Sequence, residues 1–470
     1  MDDKRAIFVS TASQVAVRLI GLIVSLASVK LLASAYGLAG TGIYNTITTY
    51  LTFCVVLADL GIFSVAVREI AKDPARERRI VANVLSLRLV SAAMAAIMAA
   101  AVISLTGYPT ELVRGTEIAS IFIFFNLVAS SFDIVFQYRL KMQYSAAAEL
   151  MAKLVSLAVL WTAIALHAGF FWAVASIPAS GLAILLGKAA FSERLLFVTP
   201  QWDTQLIRWI LRLSLPLGAV YVINNLYFKI DTLVLFALKG AAAVGIYSVA
   251  YKVLEVTVFI GSYFASSLKP ALTRGGAESK RLVSRALIVM LLISLPVATV
   301  SSVFARPIIL FLSNVSFVSG THALQLLAWT LPFIYCNVLL GEALIARDAS
   351  RQLLLIAGGS LACNLLLDGL LIPPYSYDGA AVATIASEIV LLAANLVCCR
   401  SFMRPTLPPS VIIRLTACTF VAASGGELLL RLPLHFLFGI FLTLALFALS
   451  AFGLQLITVE ELRSMGRKTA

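Results

Sequence analysis

Apolar runs of about 20 residues recur along the whole chain, separated by short polar gaps. At 1.5 Å of rise per residue, each run is long enough to cross ~30 Å of hydrocarbon as a helix. The pattern predicts about fourteen spans, at 8–34, 41–67, 80–105, 117–138, 146–166, 171–192, 210–237, 242–268, 284–304, 321–346, 353–372, 379–399, 411–430 and 434–458. The expected fold class is therefore an all-α membrane protein. No gap is long enough for a soluble domain, so any function must be carried by the helical bundle itself.

The spans also repeat. Gly42-Ile43-Tyr44 opens the second span, and Gly245-Ile246-Tyr247 opens the eighth, 203 residues later. Ala173-Val174-Ala175-Ser176-Ile177 in the sixth recurs 208 residues on as Ala381-Val382-Ala383-Thr384-Ile385 in the twelfth. Two matches at nearly one offset predict two copies of a six-span unit. Six is even, so both copies enter from the same side and are related by an axis along the membrane normal, with a site between them. The expected organisation is a first six-helix lobe at 1–192, a cytoplasmic linker at 193–209, a second lobe at 210–405, and two additional helices with a short tail at 406–470.

Charge orients this bundle. Of 36 Lys and Arg, twenty-six fall in alternate gaps and tails, starting with Lys4 and Arg5, and only Arg114, Lys239, Arg306 and Arg431 occupy the others. The positive-inside rule then places both termini in the cytoplasm, and the expected location is the cytoplasmic membrane. The chain's net charge of +13, with its cations mostly in cytoplasmic loops, points to anionic lipid headgroups as partners rather than nucleic acid. A chain 61% hydrophobic and 13% charged, with mean hydropathy +0.98, excludes an ordinary soluble domain. The six cysteines lie in or beside spans without metal-ligand spacing and read as packing residues. His167, His322 and His435 stand singly near outer span ends and read as structural.

Apart from Lys188, Arg212, Arg285 and Arg414 near span ends, counted with the gaps, six cations fall inside spans: Arg18, Lys30, Arg88, Lys153, Lys229 and Lys252. Arg18, Arg88 and Lys252 come closest to the midplane. A cation there costs ~2.5–3.5 kcal/mol, so three approach ~10 kcal/mol. That rivals the ~5–15 kcal/mol net stability of a typical protein. Such groups are paired or line a hydrated cavity. Glu149 with Lys153, and Lys252 with Glu255, share helix faces as local pairs. Lys30 is near enough to the outer end to snorkel. Arg18 and Arg88 have no acidic neighbour on their own helices. A hydrated cationic cavity suits an anionic substrate, because phosphate oxygens accept charge-assisted hydrogen bonds from Arg and Lys. Among the intramembrane acids, Asp59, Asp231 and Glu388 are candidates for a cation relay. Pro216 and Gly218 form the candidate hinge, since proline frees a carbonyl and glycine adds backbone freedom.

Enzyme chemistry finds no support. Gly181 to Lys188 superficially looks like a phosphate loop, but its spacing is one residue too long and no Ser or Thr follows Lys188. The longest outer connection, 305–320, holds one ionisable residue, Arg306, and general acid–base catalysis needs a positioned titratable group. No cofactor and no catalytic residue are expected.

Several segments resemble a known family. Leu215-Pro-Leu-Gly218 followed by Tyr227-Phe-Lys-Ile-Asp231, then Gly245-Ile-Tyr-Ser-Val-Ala-Tyr-Lys-Val-Leu-Glu255, look like its seventh and eighth helices. Ala305-Arg-Pro307 through Ala323-Leu-Gln-Leu326, and Leu371-Ile-Pro-Pro374 through Asp378-Gly-Ala-Ala-Val-Ala383, resemble its later connections. Tyr36-Gly37 to Tyr44 fits its N-terminal half. The chain is identified by these as a member of the polysaccharide transporter (O-antigen-type flippase) family of the multidrug/oligosaccharidyl-lipid/polysaccharide exporter superfamily. The resemblance implies two six-helix lobes in a V around a central cavity lined by helices 1, 2, 7 and 8. It implies outward flipping of a polyprenyl-diphosphate-linked oligosaccharide by alternating access, with other polysaccharide-assembly membrane proteins as partners. Arg18, Lys30, Arg88, Lys229 and Lys252 are then the substrate-binding candidates. A cation-coupled multidrug exporter of the same fold is the alternative. The chain departs from lipid II flippases in lacking a clear Arg-rich cluster in helix 1.

Overall fold

The computed structural model describes residues 2–273, 276–347, 349–400 and 407–456. Side chains are described from Val17 onward, except at 216–217, 220–221, 224, 269–270, 276–280 and 350. Every regular element among the described residues is helical. The first seven helices are α1 (Asp2–Asp59), α2 (Ile62–Lys72), α3 (Glu77–Ser104), α4 (Thr110–Ala119), α5 (Ile121–Tyr138), α6 (Met142–Ala165) and α7 (Phe170–Val174). Then come α8 (Ser176–Glu193), α9 (Thr204–Lys239), α10 (Ala241–Thr273), α11 (Gly276–Val303) and α12 (Ala305–Leu312). The last are α13 (Thr321–Ala328), α14 (Leu331–Ile345), α15 (Ser350–Arg400), α16 (Pro409–Leu430) and α17 (Phe436–Gly453).

Among the described residues ten helical stretches are long and apolar enough to cross a membrane, or eleven if the bent pair Val315–Ala328 and Leu331–Ile345 counts as one. The count of fourteen is not reproduced, and the reason is partly geometric. The stretches Val17–Lys72 and Arg351–Arg400 hold 56 and 50 residues, each about twice a bilayer-spanning length. Each contains a sharp interior break, at Gly37 (φ 61°) and Ser376 (φ 53°), where the hydropathy pattern expects outer turns. A left-handed residue interrupts the hydrogen-bond ladder without a loop, so each stretch is two helices joined directly at a kink.

The chain divides into two compact units, Met1–Gly245 and Ile246–Ala470. In the first, α6 packs on α1 and α8, α5 on α3 and α8, and α9 on α1 and α2. Aliphatic side chains of α2, α3 and α5, including Ile62, Ile70, Ile80, Val84 and Ile134, form its inner core with Ile210 of α9. In the second, α11 packs on α13, α14 and α16, while α14 lies on α15. Cys418, Ala422, Phe447 and Ala451 join α16 to α17. Cys418 is wholly buried there, as expected of a small apolar filler.

The repeated motifs meet physically. Tyr44 and Ser176, one from each first copy, share a hydrogen bond of 3.0 Å. Gly42 and Gly245, the two copies of the other motif's glycine, lie backbone against backbone. A Cβ on Gly42 would strike the Ala241 carbonyl oxygen, and one on Gly245 the Leu38 carbonyl oxygen. Glycine is required at both positions by that close approach.

The stretch between α8 and α9 is stapled to the first unit. Asp203 caps α9, accepting from the backbone N–H of Gln205 (3.0 Å) and Leu206 (3.2 Å). Its other carboxylate oxygen accepts from Arg79 at 2.5 Å, and Asn83 Oδ1 accepts the Asp203 N–H at 2.6 Å. The Arg79 hydrogen bond, with the capping amides, holds the Asp203 carboxyl below its ordinary range. Arg139 makes a two-pronged pair with Glu77, 2.9 Å on each side, and donates to the Leu195 carbonyl at 2.5 Å.

Candidate functional site

A polar interior region of the first unit begins where α1 stops. Asp59 is the last residue of α1, and Leu60 (φ 48°) and Gly61 (φ 72°) break the helix before α2 restarts at Ile62. The break frees Asp59 to turn its carboxylate toward α3. There the Arg88 guanidinium, wholly buried, donates to Asp59 Oδ1 and to Ser130 Oγ of α5. A midplane arginine lacking an acid on its own helix thus finds one on a neighbouring helix. Arg88 had the pattern of a substrate cation, yet its guanidinium is engaged inside the unit by Asp59, itself a relay candidate. Gly218 of α9 packs on the same break, where a Cβ would strike the Leu60 carbonyl oxygen. Close approach therefore explains this glycine directly. Pro216, its partner in the expected hinge, lies outside the described side chains.

A second buried pair sits close by. Lys188 of α8, 4% exposed, donates to Asp133 Oδ2 at 2.7 Å and approaches Glu149 Oε1 at 3.9 Å. Ser145 Oγ donates to Asp133 Oδ1 at 2.7 Å and to Glu149 at 3.4 Å. Between the two pairs lies a cavity of about 450 Å³. Asp59, Asp133 and Glu149 line it together with Ser64, Asn126 and Ser130, on a wall otherwise largely aliphatic. Three carboxylates against Arg88 and Lys188 leave the group one negative charge in excess. The charge pattern groups Lys188 with the cytoplasmic gap cations and does not point to this centre. The usable signal was that Lys188 falls inside the apolar run 171–192, where a cation needs a partner.

The other candidates are placed as follows. Arg18 is half-buried on α1, twelve residues, or about 18 Å of helix, before Lys30. Lys30 is exposed at the rim of a groove of about 590 Å³ between α1 and α6, walled by Leu31, Leu157 and Trp161. Lys153 donates to the Gly21 carbonyl at 3.4 Å rather than pairing with Glu149, which turns to Lys188. Lys229 is half-buried on α9, and Asp231 is 3% exposed, accepting the Thr232 N–H at 2.9 Å. In the second unit Lys252 pairs with Glu255 at 2.8 Å, the spacing the sequence indicates. Glu388 is buried there, its Oε2 accepting from Asn337 Nδ2 at 2.7 Å, while Asn395 donates to Asn337 Oδ1 at 3.1 Å. Of the named candidates, Asp59 and Arg88 are joined directly.

The fold is a multi-pass helical bundle with charged groups buried between its helices. The chain belongs to the polysaccharide biosynthesis protein family, whose model matches residues 4–276. The MatE family model matches residues 216–370. A probable flippase, AglR of Haloferax volcanii, is 26% identical over 316 residues, covering 64% of this chain and 62% of the relative's length. Among solved structures, the lipid II flippase MurJ in an inward closed conformation has a TM-score of 0.77 at 13% identity, covering 94% of this chain and 98% of that one. An outward-facing multidrug resistance transporter of the MATE family gives 0.63 at 14% identity, covering 88% and 96%. A MOP superfamily transporter from Pyrococcus furiosus gives 0.62 at 14%, with the same coverage. At such identities the structural likenesses establish the fold.

Proposed function

We propose that this chain is a flippase that carries a polyprenyl-diphosphate-linked oligosaccharide from the inner to the outer leaflet of the cytoplasmic membrane, for surface polysaccharide assembly. The family match over residues 4–276 carries the reading. Its chemical support is the set of cations on apolar helices, Arg18, Lys229 and Lys252 with Lys30 toward the outer end, suited to a diphosphate. Arg88, oriented by its bond to Asp59, completes the set. Transport proceeds by alternating access of lobes 1–192 and 210–405 joined through 193–209, with 406–470 appended and both termini cytoplasmic. Asp59, Asp231 and Glu388 are the groups for any coupled cation, and other membrane proteins of polysaccharide assembly are the expected partners. The MatE match over residues 216–370 favours one second reading, a cation-coupled multidrug exporter. The test is charge removal. Arg18→Ala with Lys252→Ala, at normal membrane levels, abolishes surface glycan export under the first reading. Undiminished export in the double variant refutes it.

A further inference from the structure

The cavity of the first unit holds more hydrogen-bonding capacity than its own ion pairs use. Asn126 and Ser64 face it, and their side chains make no hydrogen bond among the described residues. The Glu149 side chain is 43% exposed and is held by contacts of 3.4 and 3.9 Å. Asp59 spends one oxygen on Arg88. These groups are set apart on an aliphatic wall, the arrangement of a small-molecule site.

We propose that this cavity is a subsite for one hexose of the transported glycan, a neutral or amine-bearing sugar and not an acidic one. The proposal rests on the lipid-linked glycan reading above. Size argues for a sugar over an ion. About 450 Å³ lies within the ~300–1,000 Å³ range of small-molecule sites, and far above the ~30 Å³ share of one water. Chemistry argues the same way. A sugar hydroxyl both donates and accepts, and the wall offers an amide, hydroxyls and carboxylate oxygens that do one or both. Charge sets the selectivity. Arg88 and Lys188 are 0% and 4% exposed behind the carboxylates, so the face presented to a ligand is acidic. A uronic acid brought beside Glu149 meets like charge in a partly desolvated space and is disfavoured, by about tenfold or more.

The experiment uses the full chain in lipid nanodiscs, with methyl glucoside, methyl glucosaminide and methyl glucuronide as probes, and saturation-transfer NMR as the readout. The expected result is saturation of the first two, with glucuronide at least about tenfold weaker. Glu149→Gln narrows that gap severalfold, and Asn126→Ala weakens all three probes. Equal binding of glucuronide, binding of none, or displacement of the sugars by sodium chloride alone overturns the proposal. Glycan export is measured on the same preparations' source cells. Export without probe binding removes the subsite and leaves the flippase reading; selective binding without export removes the flippase reading and with it the identity of the sugar as cargo.

Discussion

Replacing Lys188 with Met tests whether the buried pairs around the first unit's cavity hold that unit together. The Lys188 and Asp133 side chains are 5% and 16% exposed and meet at 2.7 Å. Removing one partner of such a pair leaves an uncompensated buried charge, at a cost of ~3–5 kcal/mol. The contact with Glu149 is 3.9 Å long, and Glu149 is 43% exposed, so its loss adds under ~1 kcal/mol. Ser145 remains on Asp133 at 2.7 Å and moves the cost toward the lower bound. For a unit of this size each kcal/mol lowers Tm by roughly 2–4 °C, so Lys188→Met falls by roughly 6–20 °C. Lys188→Met with Asp133→Leu removes both charges and recovers most of that loss, since an apolar replacement of a buried pair is often neutral. Thermal melts of the full chain in nanodiscs, arranged as a double-mutant cycle, give the coupling directly. A single variant melting with the wild type, or a double no better than the single, refutes the reasoning.

Two further substitutions probe other contacts. Gly42→Ala places a methyl against the Ala241 carbonyl oxygen, which has no flexible end to move aside. The expected cost is about 1–3 kcal/mol, together with a fall in disulfide yield between cysteines introduced at Leu38 and Ala241; unchanged yield contradicts it. Asp203→Ala removes the α9 cap and the Arg79 partner. Because the folded carboxyl titrates below its ordinary value, its contribution is present at neutral pH and lost as pH falls through the carboxylate range. The melting difference between wild type and variant therefore shrinks between pH 7 and acid, and a difference that grows on acidification contradicts the assignment.

Much of this was legible in the chain because lipid makes hydropathy a strong signal. The helical class, the breaks near Gly37 and Ser376, and the Lys252–Glu255 pair follow from run lengths and helical spacing. The Gly-Ile-Tyr repeat was visible as a pattern; that its two glycines touch each other was not, since backbone contact between distant segments leaves no periodic trace. The same limit applies to Arg88. Its cost in the membrane was calculable, but its partner Asp59 is 29 residues away on another helix. Local spacing instead suggested Glu149 with Lys153, and packing gave Glu149 to Lys188. The expected hinge glycine, Gly218, marks a close approach to Leu60, because glycine serves flexibility and proximity alike and sequence does not separate them.

Reconstitution shows whether this chain alone moves a lipid-linked glycan outward. Purified protein in liposomes is supplied with a fluorescent polyprenyl-diphosphate oligosaccharide in one leaflet, and a membrane-impermeant quencher follows its appearance in the other. Transfer well above that of empty liposomes is expected, lost in Arg18→Ala with Lys252→Ala. Transfer no faster than in empty liposomes, by protein that melts like the native chain, would contradict it.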